Sequence, residues 1–260
     1  MIVKTAQYLD CHNHLGDRRL QSRVQDLCRE AEAAGVTHLL AAAAEVEDWL
    51  RLRQLPASCG AMQICVCYGL HPWYVEQWTP EAEAELDALL RSGMAVAVGE
   101  CGLDFQHGRE NAEQQMSVLR AQLRLAEIHR LPVILHVRKA WPEMLQMLAE
   151  FPALPGGICH NFSGSLDNAR QLLPRNFLFS FGGDLTKDGF HQRKQVAAAL
   201  PDNAILTETD APDCPMLGKS PGTGVPADVV AVTAALADLR HISEQELSLI
   251  MRDNWQRLFP

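Results

Sequence analysis

No run of eighteen apolar residues occurs in this 260-residue chain, which excludes a hydrophobic membrane-spanning helix. The opening residues MIVKTAQYLD place an aspartate where a secretory leader needs its apolar stretch, so a soluble, cytoplasmic protein without membrane association is expected. Eight cysteines are too sparse for a disulfide scaffold of this length, and none is spaced Cys-x-x-Cys, so reduced thiols are expected. Basic residues are in deficit as well, 23 Lys and Arg against 32 Asp and Glu, a net charge of −9. That balance argues against a broad positive footprint for duplex nucleic acid, whose non-specific affinity comes from neutralising phosphates. It leaves a nucleic-acid substrate open, because bound divalent ions can reverse the local sign of a site. Internal repeats, low-complexity tracts and long linkers are lacking, and no obligate protein partner is evident.

What is present is a chain 47% apolar, enough for a substantial core, read as one domain over residues 1–260. Eight apolar runs recur with turn signals and helical patterns between them: QYLDCHNH, VTHLLAAAA, ICVCYGLHP, MAVAVGECGLD, LPVILHVR, GICHNFSG, NFLFSFGG and AILTETDAP. The second is ambiguous, since LLAAAA suits a helix equally well. Residues 111–130 read as a helix from Met116, Leu119, Leu123 and Ala126. Thr79-Pro80-Glu81 reads as a helix start and Ser243 with Glu246 as a capping box, while residues 212–226 read as a long loop. Near-continuous apolar strands alternating with helices imply parallel pairing covered on both sides. Closure into a (β/α)8 TIM barrel satisfies this without edges, with an open doubly wound sheet as the competitor.

The unusual polar residues gather at the ends of these runs. His12 and His14 close the first, His71 the third, Glu100 the fourth, His136 and Arg138 the fifth, His160 the sixth and Asp210 the eighth. In a parallel barrel these ends open on one face, so residues far apart in sequence converge there. A lone strand-end histidine is ordinarily a hydrogen-bonded structural residue. Four histidines and two carboxylates together exceed what one tetrahedral ion needs and suit a pair of ions bridged by a carboxylate, about 3.5 to 4 Å apart. His71, just before Pro72, is read equally as a substrate contact or a plain turn residue. His38, His107, His129, His191 and His241 are given surface or capping roles. By strand alternation, Cys11, Cys101 and Cys159 turn away from the site into the packing under outer helices, and Cys67 lies too deep to join it. Gly218-Lys219-Ser220 only resembles the tail of a phosphate-binding loop, because position 213 is Asp where glycine is needed. Ser163 lacks the glycine pattern of a nucleophile elbow.

The order DCHNH (10–14), GLHP (69–72), GECGLD (99–104), LPVILHVR (131–138), HNFSG (160–164) and TETDAP (207–212) resembles the TatD family of metal-dependent deoxyribonucleases within the amidohydrolase superfamily. The resemblance spans nearly the whole chain and implies a cofactor of two divalent metal ions, Mg, Mn or Zn. It implies that His12, His14 and Asp210 bind one ion, His136 and His160 the other, and that Glu100 bridges both where some superfamily relatives use a carboxylated lysine. It places His71 and Arg138, and more weakly Lys187, near the substrate's phosphate. Asp210 would orient a metal-activated water and take its proton, with Asp10 and Glu208 as candidate supports or core ion-pair residues. The chain departs from the family where PGTGVP (221–226) stands for the usual Arg-x-Asn-x-Pro element, and where His-Val-Arg and His-Asn-Phe-Ser-Gly replace His-Ser-Arg and His-Cys-Phe-Ser-Gly. The expected activity is hydrolysis of phosphodiester bonds at DNA ends, single-stranded ends in particular. The alternatives are a small-molecule or aminoacyl ester or amide hydrolase using the same site, and a non-catalytic metal-binding barrel.

Overall fold

All eight apolar runs form strands of one parallel sheet. The computed structural model describes residues 6–259; residues 1–5 and Pro260, the two ends of the span expected as one domain, lie outside the described residues. The strands are β1 (Tyr8–Asn13), β2 (Val36–Ala42), β3 (Met62–Tyr68), β4 (Ala95–Asp104), β5 (Val133–Arg138), β6 (Gly157–Cys159), β7 (Phe177–Phe181) and β8 (Ile205–Thr207). They pair in chain order, each parallel to the next, and a two-residue strand at Ser58–Cys59 adds antiparallel to β3. The helices that follow them in turn are α1 (Val24–Ala33), α2 (Val46–Arg53), α3 (Pro80–Arg91), α4 (Ala112–His129), α5 (Trp141–Ala149), α6 (Leu166–Leu172), α7 (His191–Ala199) and α8 (Val229–Arg240), with α9 (Glu244–Leu258) appended. None of these helices is long and apolar enough to cross a membrane.

The ambiguous LLAAAA run is strand β2. It is flanked by β1 on one side and β3 on the other, and Leu39 to Ala43 are all buried. Two neighbours to bond with override the helix preference of alanine, and its small side chain leaves room inside a curved sheet. α4 forms as expected over 112–129. Thr79 Oγ1 accepts the Ala82 N–H at 3.2 Å to start α3. Ser243 Oγ accepts the Glu246 N–H at 3.2 Å, one half of the expected box.

The sheet nearly closes into a barrel, but the edge-free ladder expected from the sequence is not formed: among the described residues β8 and β1 have no continuous ladder between them. β8 is only three residues long, and the seam is tied instead by the segment beyond it. Asp210 N–H donates to His12 C=O at 3.0 Å, and His14 N–H to Ala211 C=O at 2.8 Å. Asp10, fully buried, accepts from Thr209 N–H at 2.8 Å, Thr209 Oγ1 at 2.7 Å and Asn13 Nδ2 at 3.1 Å. Elsewhere the contact is close enough to require glycine: a Cβ on Gly102 of β4 would stand 1.9 Å from the His136 carbonyl oxygen of β5. That approach brings the polar ends of β4 and β5 together.

Candidate metal centre

Every residue of the expected set lies at the C-terminal rim of the sheet. His12 is the last residue of β1 before Asn13 ends it and His14 follows directly, Glu100 and Asp104 lie in β4, and His136 lies in β5. His160 is the first residue after β6, and Asp210 stands three residues after β8 in the left-handed region at φ 51°. His71 begins a 3-10 turn after β3.

The donor atoms form two groups that share Glu100, a residue 1% exposed. Its Oε2 lies 3.2 Å from His12 Nε2 and 3.2 Å from His14 Nε2. Asp210 Oδ1 lies 3.6 and 3.4 Å from the same nitrogens. Four donors bonded at about 2.0 to 2.1 Å around one tetrahedral ion are separated by about 3.3 to 3.4 Å, so these spacings match the edges of such a shell. The other oxygen, Oε1, lies 2.8 Å from His136 Nδ1, 2.8 Å from His160 Nε2 and 3.4 Å from His71 Nε2. His136 Nδ1 and His160 Nε2 are 3.2 Å apart. The two groups make a His- and carboxylate-rich site capable of binding two divalent ions.

The surroundings decide which imidazoles offer a lone pair. His14 Nδ1 lies 3.1 Å from Ala42 C=O; a carbonyl only accepts, so the proton sits on Nδ1 and Nε2 faces inward bare. Asp104 Oδ2 does the same for His136, 3.1 Å from Nε2, leaving Nδ1 inward. Glu208 Oε1 stands 3.5 Å from His160 Nδ1 while Ser180 Oγ donates to its other oxygen. His71 is wired the opposite way. The Trp73 N–H donates to its Nδ1 at 3.0 Å, so in the neutral ring Nε2 carries the proton and donates it to His136 Nδ1 at 3.1 Å. The sequence left His71 between substrate contact and turn residue; it caps the turn and faces the site at once.

The electrostatics draw positive charge to this point. Burial raises the Glu100 carboxyl, but the imidazoles of His160, His71 and His12 outweigh it and hold the group well below the carboxylate range. Asp210 is lowered in the same way, chiefly by its hydrogen bond with His14. Burial lowers His12 and His71, whereas at His14 the bonds to Asp210 and Glu100, and at His160 the charge of Glu100, outweigh burial and raise the imidazole. Both ring nitrogens of His12, Glu100 Oε2 and Glu208 Oε1 are buried without a hydrogen-bond partner. Buried polar atoms left unpaired are costly, and a cation between His12 Nε2 and Glu100 Oε2 would remove that cost for those two.

A cavity of about 530 Å³ opens over this cluster, and its walls include Trp73, Arg138, Lys139, Asn161, Phe190 and Arg193. Arg138 lies on it as expected, 43% exposed at its side chain and 3.5 Å from Asp104. Lys187 does not line it; its ammonium pairs with Asp184 at 3.1 Å. Arg193, from α7, takes that place and bonds Asn161 and Asp184. Asp10 clamps the seam rather than supporting His14. Cys11, Cys101 and Cys159 are all buried in the core. Lys219 pairs with Asp228 at 2.6 Å, which disposes of the phosphate-loop likeness.

Residues 9–260 match the family model described as TatD related DNase. The chain is 30% identical over 255 residues to the uncharacterized metal-dependent hydrolase YjjV of Escherichia coli K12, covering 97% of this chain and 98% of that one. The crystal structure of YjjV, described as a TatD homolog, superposes with a TM-score of 0.90 at 97% coverage of each chain. The uncharacterized metal-dependent hydrolase YabD of Bacillus subtilis is 30% identical over 96% of this chain and 98% of its own. The 3'-5' ssDNA/RNA exonuclease TatD of Citrobacter koseri is 31% identical over 72% of each chain. With its donor groups in place and its length matched almost end to end, this chain belongs to the TatD family of metal-dependent hydrolases.

Proposed function

We propose that the chain is a single cytoplasmic (β/α)8 domain that hydrolyses phosphodiester bonds at the ends of single-stranded DNA. The observation that carries this reading is the pair of donor groups joined through the two oxygens of Glu100 beneath an open cavity. His12, His14 and Asp210 would hold one ion, His136 and His160 the other, with Glu100 shared; the inward lone pairs and unpartnered atoms fit that assignment. Mg, Mn or Zn held there supplies Lewis acidity when bound, acidifying water and polarising a phosphate oxygen. Asp210, ionised and anchored through its own N–H to His12 C=O, positions the attacking water and takes its proton. His71 Nε2–H, 3.1 Å from His136 Nδ1 in this structure, would turn to a phosphate oxygen when that nitrogen holds an ion, and the Arg138 fork would hold the non-bridging oxygens.

The rim supports a small footprint. Arg19 is bound through both ends of its fork to Asp213, at 2.7 and 2.6 Å, and Arg193 to Asp184. These pairs leave, on the cavity wall, Lys139 with no acidic partner among the described residues and Arg138 with the 3.5 Å contact to Asp104 alone. That is too little charge for a duplex tract and enough for the terminal phosphates of one strand. The Citrobacter koseri relative, named as a 3'-5' ssDNA/RNA exonuclease, supports this choice. The test is a substrate panel run with each metal in turn: end-labelled single-stranded and duplex oligonucleotides beside carboxylic esters and amides. Stepwise shortening of the single strand is expected. Turnover of esters or amides with no cut oligonucleotide would move the assignment to the small-molecule reading.

A further inference from the structure

Among the described residues, two of the seven large hydrophobic side chains left exposed are aromatic, Trp73 at 54% and Phe190 at 45%, and both line the metal-centre cavity. Neither ring is placed loosely. Trp73 Nε1–H donates to Asp104 Oδ2 at 2.9 Å, the same oxygen that holds His136, so the indole is registered to the second donor group. The His71 ring stands nearly perpendicular to it, 5.0 Å between centroids. Phe190 is held in the left-handed backbone region at φ 51°, which a bulky residue adopts at a cost. The guanidinium of Arg193 and the ammonium of Lys187 lie 5.9 and 6.0 Å from its ring. An exposed, positioned ring beside a phosphate-sized donor cluster is the arrangement on which unpaired bases stack.

We propose that Trp73 and Phe190 are the base-stacking platforms of this site, receiving nucleobases that adjoin the cut phosphodiester and so selecting unpaired strands. The proposal rests on the phosphodiesterase reading above. In a duplex both faces of an internal base are covered by its neighbours, so stacking on these rings requires a base that has left the helix. Paired substrate is rejected by the cost of unstacking, without any residue that reads sequence.

The test crosses ring against base. Trp73→Ala, Trp73→Phe and Phe190→Ala are assayed in the metal-loaded full chain on single-stranded ends carrying ordinary bases or abasic sugars at the terminal positions. Trp73→Ala and Phe190→Ala are each expected to raise KM on base-bearing ends about tenfold, the order of one lost stack, with the change falling on KM rather than kcat. The preference of the wild type for base-bearing over abasic ends should shrink by the same factor, and Trp73→Phe should recover most of it, because it keeps a ring while losing the bond to Asp104. Equal penalties on base-bearing and abasic ends, or a Trp73→Phe as impaired as Trp73→Ala, overturn the stacking role and leave the phosphodiesterase reading intact. A wild type that cuts no oligonucleotide overturns both. Phe190→Ala decides the matter should Trp73→Ala lose its fold by circular dichroism.

Discussion

Replacing Glu100 by Gln tests the shared-carboxylate arrangement with almost no change of shape. Each oxygen serves a different donor group, Oε2 at 3.2 Å from His12 and His14, Oε1 at 2.8 Å from His136 and His160. An amide has one carbonyl oxygen and one NH2, and the nitrogen offers a cation no lone pair. Whichever way the amide turns, one group loses a donor and the site loses its central negative charge. Metal content is therefore expected to fall from two ions per chain to one. Losing the electrostatic stabilisation that one ion provides, several kcal/mol and here taken as about 4, slows turnover by about a thousandfold. Plasma mass spectrometry after gel filtration gives the stoichiometry, and initial rates on a labelled single strand give the turnover, with circular dichroism as the fold control. A Glu100→Gln protein that keeps two tightly held ions and turns over within about tenfold of the wild type would refute the bridging role.

Chelation should destabilise the fold, because it returns unpaired imidazoles and carboxylates to a buried pocket: at about a hundredfold excess over Kd, bound metal contributes about 2.7 kcal/mol, or roughly 5 to 10 °C in Tm for a chain of this size. Calorimetry with and without chelator checks this, and coincident melts would count against it. Asp10→Ala removes the acceptor for Thr209 N–H, Thr209 Oγ1 and Asn13 Nδ2. A loss of about 3 kcal/mol is expected in urea titrations, and a change under about 0.5 kcal/mol would mean that the seam holds without it. Tyr68 is fully buried with no partner for its hydroxyl, and burial pushes its pKa up to about 12. A folded pKa above the unfolded value of about 10 means that the associated stability is complete below about pH 10 and is lost as pH rises toward 12. Tyr68→Phe should therefore gain about 1 kcal/mol near neutrality and flatten the alkaline decline; a lower Tm at both pH values would contradict this.

Much of this was legible because strand-end chemistry is local. His12 and His14 share a face by spacing alone, and the six of the eight apolar runs that end in polar residues place those residues on one rim whenever the strands are parallel. β2 was ambiguous because a run of alanine carries no periodicity, and only its two neighbours settle it. The sequence assigns no role to Asp104 or Trp73, because the bonds of Asp104 to His136 and to Trp73 cross between strands and loops that no spacing relates. Lys187 is the residue the sequence offers near the phosphate, and Arg193 carries no sequence signal of its own although it lies on the cavity wall. Both lie near Asp184, and which one reaches the cavity depends on the first turn of α7.

The tie between Asp210 and His12 has a consequence for biosynthesis. Glu100, His136 and His160 belong to consecutive strands in mid-chain, so their cradle can assemble while later residues are still being translated. The group containing His12 and His14 lacks its fourth member until Asp210 has left the ribosome and joined β1 across the seam. Occupancy by the first cation thus reports that the circle of strands has been completed, and a chain stopped before residue 210 could hold only the mid-chain partner.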